Sequence, residues 1–287
     1  MTTGLRPPAV AGQFYAADGK ELALQIEECF RDRRGPGELP PPHRSAHRSL
    51  EAAVVPHAGY PYSGPIAAHV YARIAAEKAP GTVLLLGVDH HGMSRGAALS
   101  DQSWLTPLGP TEVDHDLVRA LRHGPIEVDE AAHAQEHSIE VQLPFLEYVL
   151  PKPRFVALEV AFGPFTFLEE VARVVRDAVR DRDVLLVAST DFSHYVPVRT
   201  ADRLDHLAIG AILERDPRKL YDTVVENDIS MCGIAPTTVL LAATRDRPLS
   251  ARLLRWGHSG ESTPMRDVVG YAALALERTE GAATPVK

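Results

Sequence analysis

Cysteine is nearly absent from this chain: Cys29 and Cys232 are the 2 in 287 residues. They lie far apart and form no CxxC, which argues against a disulfide framework or a structural zinc knuckle and predicts a reducing, cytoplasmic setting. Positive charge is also in short supply. With 30 Lys and Arg against 38 Asp and Glu the formal net charge is −8, and no long basic run occurs, so neither nucleic acid nor an anionic membrane surface is an expected partner. Long apolar runs are missing too, and none approaches the length that spans a bilayer. The opening Met1-Thr-Thr-Gly-Leu-Arg-Pro-Pro8 lacks the apolar core of a secretory leader. No internal repeat and no dividing linker is visible, which predicts one domain over residues 1–287.

What the chain does have is 45% hydrophobic residues, enough for one large core. They are arranged as short apolar runs that stop at polar, ionisable clusters. Val83-Leu-Leu-Leu-Gly-Val-Asp-His-His91 is the clearest case. Ala52-Ala-Val-Val-Pro-His57, Val184-Leu-Leu-Val-Ala-Ser-Thr-Asp191-Phe-Ser-His194 and, more weakly, Asn227-Asp-Ile-Ser-Met-Cys232-Gly repeat the design. Strands of this kind bring their carboxyl ends to one edge of an open α/β sheet, where ligands bind.

Helical patterns fill the intervals. Asp18-Gly-Lys-Glu21 has the spacing of a capping box, and Leu22, Ile26, Cys29 and Phe30 then recur on one stripe, which makes Cys29 a core residue. Residues 31–49, rich in Arg, Pro and Gly, are expected to form a mobile loop with His43 and His47 in solvent. A loose tail is expected from about residue 279. Helices are predicted over 65–76, 114–121, 166–180, 201–213, 217–226 and 236–244, with a further helical stretch up to residue 146 after Glu136. Strands are predicted over 52–55, 83–86, 154–160, 184–189, 251–256 and 267–276. The alternation argues a single three-layer α/β/α domain with a mostly parallel central sheet.

Imidazole and thiolate suit borderline and soft transition metals, and two His with one anionic ligand leave coordination positions open for a substrate or oxygen. His57, His90 and Cys232 make such a set, each in a Gly- or Pro-flanked loop after an apolar segment. Neighbouring residues in extended chain point opposite ways, so one of His90 and His91 faces the metal, and His90 is assigned to it. His194 is placed to act as a general base with Asp191 as its orienting carboxylate, the alternative for Asp191 being to tie down its own loop. His133-Ala-Gln-Glu136-His137 also matches the H-x-x-E-H pattern of inverzincin proteases. No amphipathic helical run surrounds His133, and this second metal site is not expected.

At these residues the chain resembles the Memo family, the "AmmeMemoRadiSam system protein B" group of bacteria and archaea. The likeness runs in order through Val10-Ala-Gly-Gln-Phe-Tyr15, Pro56-His-Ala-Gly-Tyr60, Gly87-Val-Asp-His-His91, Glu136-His-Ser-Ile-Glu140, Ser189-Thr-Asp-Phe-Ser-His194, Met231-Cys-Gly233 and Val269-Gly-Tyr-Ala-Ala273. The resemblance implies a fold similar to LigB-type extradiol dioxygenases, non-haem iron enzymes that open catechol rings. It also implies that His57 and His90 are metal ligands, with Cys232 in place of the carboxylate ligand, and that His194 lies near the acid/base histidine. The candidate catalytic set is His194, Asp191 and His137. The chain departs from the family's usual Gly-Pro-Ser-His-His by carrying Asp89 beside the site. A thiolate in place of a carboxylate also alters charge donation to iron and welcomes copper, so catechol cleavage does not follow from fold. The expected cofactor is Fe(II), with copper as the alternative, and the expected activity an oxidoreductase acting on an unidentified small substrate. The resemblance leaves two other functions open: a copper- or iron-binding redox protein without turnover, and an interaction protein that receives a protein partner in the same pocket.

Overall fold

The apolar runs become the middle of one sheet. The computed structural model describes residues 4–41 and 44–279, and at its centre Arg154–Val160, Thr82–Val88, Val184–Ser189 and Leu50–Val55 lie side by side in that order, all parallel. Nearly every residue of these four strands is buried. Helices therefore cover both faces, which is why the strands read as continuous apolar runs and not as an alternation. Gly270–Arg278 and then Leu249–His258 add antiparallel strands beyond Leu50–Val55. Short strands at Gly109–Val113, Ser103–Thr106 and Leu5–Arg6 extend the opposite side, and Ala97–Leu99 with Ile126–Val128 branch from Arg154–Val160. These make a sheet of 11 strands.

Helices Gly19–Arg31, Tyr60–Ala76 and Leu143–Val149 pack together on one face, and Phe165–Val179, Pro217–Glu226 and Ile234–Thr244 on the other, giving three layers. Asp18 caps the first helix by accepting from the amides of Lys20 and Glu21, and Leu22, Ile26, Cys29 and Phe30 are its buried stripe. Ile234–Thr244 is buried on every side, the position an apolar helix without a polar face must take. Among the described residues no helix is long and apolar enough to cross a membrane.

Two helices differ from expectation for local reasons. The second begins at Tyr60 and runs through Pro65, whose missing N–H frees the carbonyl of Pro61. Arg34 at 3.2 Å and Ser262 at 2.8 Å donate to that carbonyl instead. The stretch after Glu136 is irregular up to Glu140, then a 3-10 turn over Glu140–Gln142, and only from Leu143 an α-helix. Its first residues stay non-helical because the Glu136 carboxylate takes the amides of His137 and Ser138. Between Arg31 and Leu50 the described residues carry neither helix nor strand. The Ser45 amide bonds the Ala76 carbonyl at 2.8 Å, and His47 is exposed. His43 and the tail beyond Thr279 lie outside the described residues.

Candidate metal centre and its cleft

His57 follows the strand Leu50–Val55, His90 follows Thr82–Val88, and Asp191 and His194 follow Val184–Ser189. The three strands are adjacent and parallel, so these side chains arrive at one carboxyl edge. Cys232 comes from the turn before Ile234–Thr244. A Cβ on Gly233 would collide with Thr190 and the Ser189 carbonyl, so glycine lets this turn seat directly on the end of the strand. Its amide bonds Thr190 Oγ1 at 2.9 Å, and the Asp191 amide donates to Cys232 Sγ at 3.2 Å. His57, His90 and Cys232 each present one ligand atom within 4.8 Å of the others, with His57 Nε2 at 3.2 Å from Cys232 Sγ.

The hydrogen bonds behind the ligands fix which nitrogen is free. Ser189 Oγ donates its one proton to the Ser138 carbonyl at 2.6 Å. It must therefore accept from its other two neighbours, the Gln142 amide at 2.8 Å and His57 Nδ1 at 2.9 Å. Gln142 is held in that orientation because the same nitrogen donates to the Pro56 carbonyl at 3.0 Å. His57 thus carries its proton on Nδ1 and turns the Nε2 lone pair towards Cys232. His90 is arranged alike: Nδ1 meets Glu136 Oε1 at 2.9 Å and its amide meets Oε2 at 2.9 Å. Glu136 also accepts the His137 and Ser138 amides at 2.8 and 2.7 Å. Burial opposes ionisation of Glu136, but these bonds and the His90 ring hold its pKa far below the ordinary value.

The structure separates the remaining candidates. His91 is exposed, its Nε2 on the Gln135 carbonyl at 3.2 Å, so of the adjacent pair only His90 joins the cluster. Asp89 faces its own loop, accepting from the Met93 and Ser94 amides at 2.9 Å each and adding no carboxylate to the metal set. His133 is fully buried against Glu159, with Nε2 on the Ala98 carbonyl at 3.1 Å. The helix Glu130–His133 ends there, so His133 and His137 do not share one ligand-bearing face. His137 instead stacks on His90 with ring centroids 4.7 Å apart and stands edge-on to His57 at 5.5 Å. The ring of His194 is oriented by the Ser230 carbonyl, which Nδ1 meets at 2.7 Å, and not by Asp191. Asp191 accepts the His57 amide at 2.8 Å and fixes the loop that presents His57. Ser189, Gln142 and the outer role of Glu136 were not legible as site residues; the signal was a polar side chain embedded among apolar ones.

Above the cluster lies a cleft of about 460 Å³ lined by His57, His90, His137, Asp191 and His194, with aromatic and apolar walls. Burial, then the neighbouring imidazoles, keep His57 well below the ordinary histidine pKa. Burial likewise brings His137 down to about 4. For His90 burial also pulls downward, but the bond and charge of Glu136 outweigh it and the pKa is raised. Burial, then the Asp191 charge, push the Cys232 thiol up. Asp191 itself is raised to about 6 by burial.

The chain matches the Memo-like protein family over residues 6–275. It belongs to the Memo family. A MEMO1 family protein of Methanopyrus kandleri is 42% identical over 281 residues, covering 95% of this chain and 99% of its own. One from Methanothermobacter thermautotrophicus is 38% identical over 278 residues, covering 94% and 100%. A Thermotoga neapolitana member is 40% identical over 278 residues, covering 95% and 99%. The crystal structure of an uncharacterized protein of Escherichia coli K12 shares the fold of this Memo chain at a TM-score of 0.56. It covers 79% of this chain and 99% of its own at 15% identity.

Proposed function

We propose that this Memo-family chain is a non-haem metal oxidoreductase, similar in layout to the dioxygenases, that holds Fe(II) on His57, His90 and Cys232 and acts on a small substrate in the cleft above them. The observation that carries it is the convergence of the three donors within 4.8 Å, two of which, His57 and His90, also line that cleft. The donors suit such an ion. Usual metal–nitrogen and metal–sulfur lengths put neighbouring ligands about 3 to 3.5 Å apart, and the His57–Cys232 separation is 3.2 Å. Both imidazoles have their Nδ1 engaged by outer acceptors, so Nε2 is the ligating atom on each.

When bound, iron would supply one-electron chemistry towards oxygen and a Lewis-acid position for a substrate oxygen. The chain's own residues do the rest. A carbonyl cannot donate, so the Ser230 contact requires the His194 proton on Nδ1 and leaves Nε2 as the basic nitrogen of a ring that lines the cleft. His194 is therefore suited to take a proton from a substrate hydroxyl and return it later. His137, neutral through burial, is a hydrogen-bonding partner for a substrate atom beside His90.

The test is purification without oxygen or affinity-tag nickel, metal analysis, then oxygen uptake over a panel of catechols. One iron per chain with uptake is expected. Full iron loading without uptake defeats turnover and favours a metal-carrying redox protein, the reading that the soft Cys232 ligand would then support.

A further inference from the structure

The walls of the cleft are aromatic and hold no Lys or Arg among the described residues that line it, which include the rings of Phe14, Tyr62, Tyr195 and Tyr271. Cationic side chains in the surrounding loops are engaged elsewhere or turned outward. Arg34 is held by Asp32 at 2.9 Å, Arg255 by Glu261 at 3.1 Å, and Arg266 is exposed beside Met265. The ionisable groups that do face inward are imidazoles and the Asp191 carboxylate, 4% exposed, with Glu136 behind His90.

An anionic ligand in such a place would lose its hydration without gaining a guanidinium or ammonium partner, and would face carboxylates. In the metal-free protein the lining therefore offers an anion no Lys or Arg partner. A cation meets the opposite conditions. Tyrosine faces attract ammonium groups, and Tyr195, 79% exposed and held at φ 55°, stands at the mouth where an alkylammonium arm would emerge. The cleft volume of about 460 Å³ suits one small molecule.

We infer that the cleft takes small aromatic compounds that are neutral or carry an ammonium group and rejects those bearing a carboxylate; this rests on the cleft being the substrate site of the proposed function. The test is direct binding of three probes with one ring, tyramine, p-cresol and 4-hydroxyphenylacetate, followed by ligand-observed NMR titration on metal-free protein and again after iron loading without oxygen. Tyramine should bind at least about 10-fold more tightly than 4-hydroxyphenylacetate, about 1.4 kcal/mol, with p-cresol between them. Tyr195→Ala, a change at an exposed ring, should weaken tyramine about 3-fold or more and leave the acid unchanged. Equal or tighter binding of the acid overturns the inference, as does absence of binding by all three. The metal-free titration reads charge selection without iron, so the order of affinities can stand even where oxygen uptake fails, and can fail where uptake succeeds.

Discussion

Ser189→Ala should separate metal affinity from fold. The substitution removes one hydroxyl from a site that is 0% exposed and opens almost no cavity. Three bonds go at once: to the Ser138 carbonyl, from His57 Nδ1 and from Gln142. Gln142 keeps its bond to Pro56, so the losses that matter are a buried carbonyl and a buried imidazole N–H left without partners. At about 1–3 kcal/mol for each of the two unsatisfied buried groups, the variant should be about 2–6 kcal/mol less stable, a fall in Tm of roughly 3–10 °C for a chain this size. The same deletion frees His57 to place its proton on either nitrogen, and loss of an orienting partner of this kind weakens metal binding about 10- to 100-fold. Competition with a chromophoric chelator gives the affinity, and urea unfolding of the metal-free protein gives the stability. A variant that is destabilised as calculated yet binds metal within about 2-fold of the parent would show that the Ser189 network does not set the His57 tautomer.

In metal analysis after anaerobic purification, His57→Ala, His90→Ala and Cys232→Ser should each empty the site, while His91→Ala, whose ring bonds only the Gln135 carbonyl, should retain full loading. His194→Ala should also keep its metal but lose on the order of 10²-fold or more of any oxygen-uptake rate; loss of metal equal to that of Cys232→Ser would count it as a ligand. His137 should leave a mark on acid stability. Its folded pKa is about 4 against about 6.5 unfolded, so its contribution is complete above the unfolded value and is lost as pH falls through that interval. Urea unfolding of metal-free protein at stepped pH should show this acid limb flattened in His137→Phe, and an unchanged limb would assign it to other groups.

The central strands were legible because burial on both faces leaves an unbroken apolar run, as in Val83-Leu-Leu-Leu86 and Val184-Leu-Leu-Val187. Leu5–Arg6, Ala97–Leu99 and Ile126–Val128 were not, since segments of 2 or 3 residues carry too little periodicity to register and form through pairing alone. Of the candidate site, the approach of His57 and His90 could be read from residue type and position after a strand, whereas Cys232, expected at the end of an apolar strand, arrives from a turn between the helices Pro217–Glu226 and Ile234–Thr244. What could not be read was the layer behind them. The orientation of His194 by a main-chain carbonyl leaves no trace in side-chain identity, and Asp191 is adjacent in sequence to the ring's loop yet spends its carboxylate on the His57 amide. The H-x-x-E-H spacing does not bring His133 and His137 onto one face for a related reason. Pattern gives separation along the chain, but the helix ends at His133, and past that point spacing no longer states direction.

The segment Glu136–Glu140 ties together parts of the chain that are synthesised far apart in time. Glu136 reaches His90, 46 residues back, and the Ser138 carbonyl waits for Ser189, 51 residues ahead. Glu140 gathers Arg6 and Tyr15 from 134 and 125 residues away. The ligand pair His57 and Cys232 is separated by 175 residues. Closing loops of such length is entropically slow, and a growing chain lacks the third donor until residue 232 has left the ribosome. The full set of three candidate donors therefore comes together only once the chain beyond residue 232 is available. On the proposed ligand set, an ion would meet a fold in which the Nδ1 atoms of His57 and His90 are already engaged by Ser189 and Glu136.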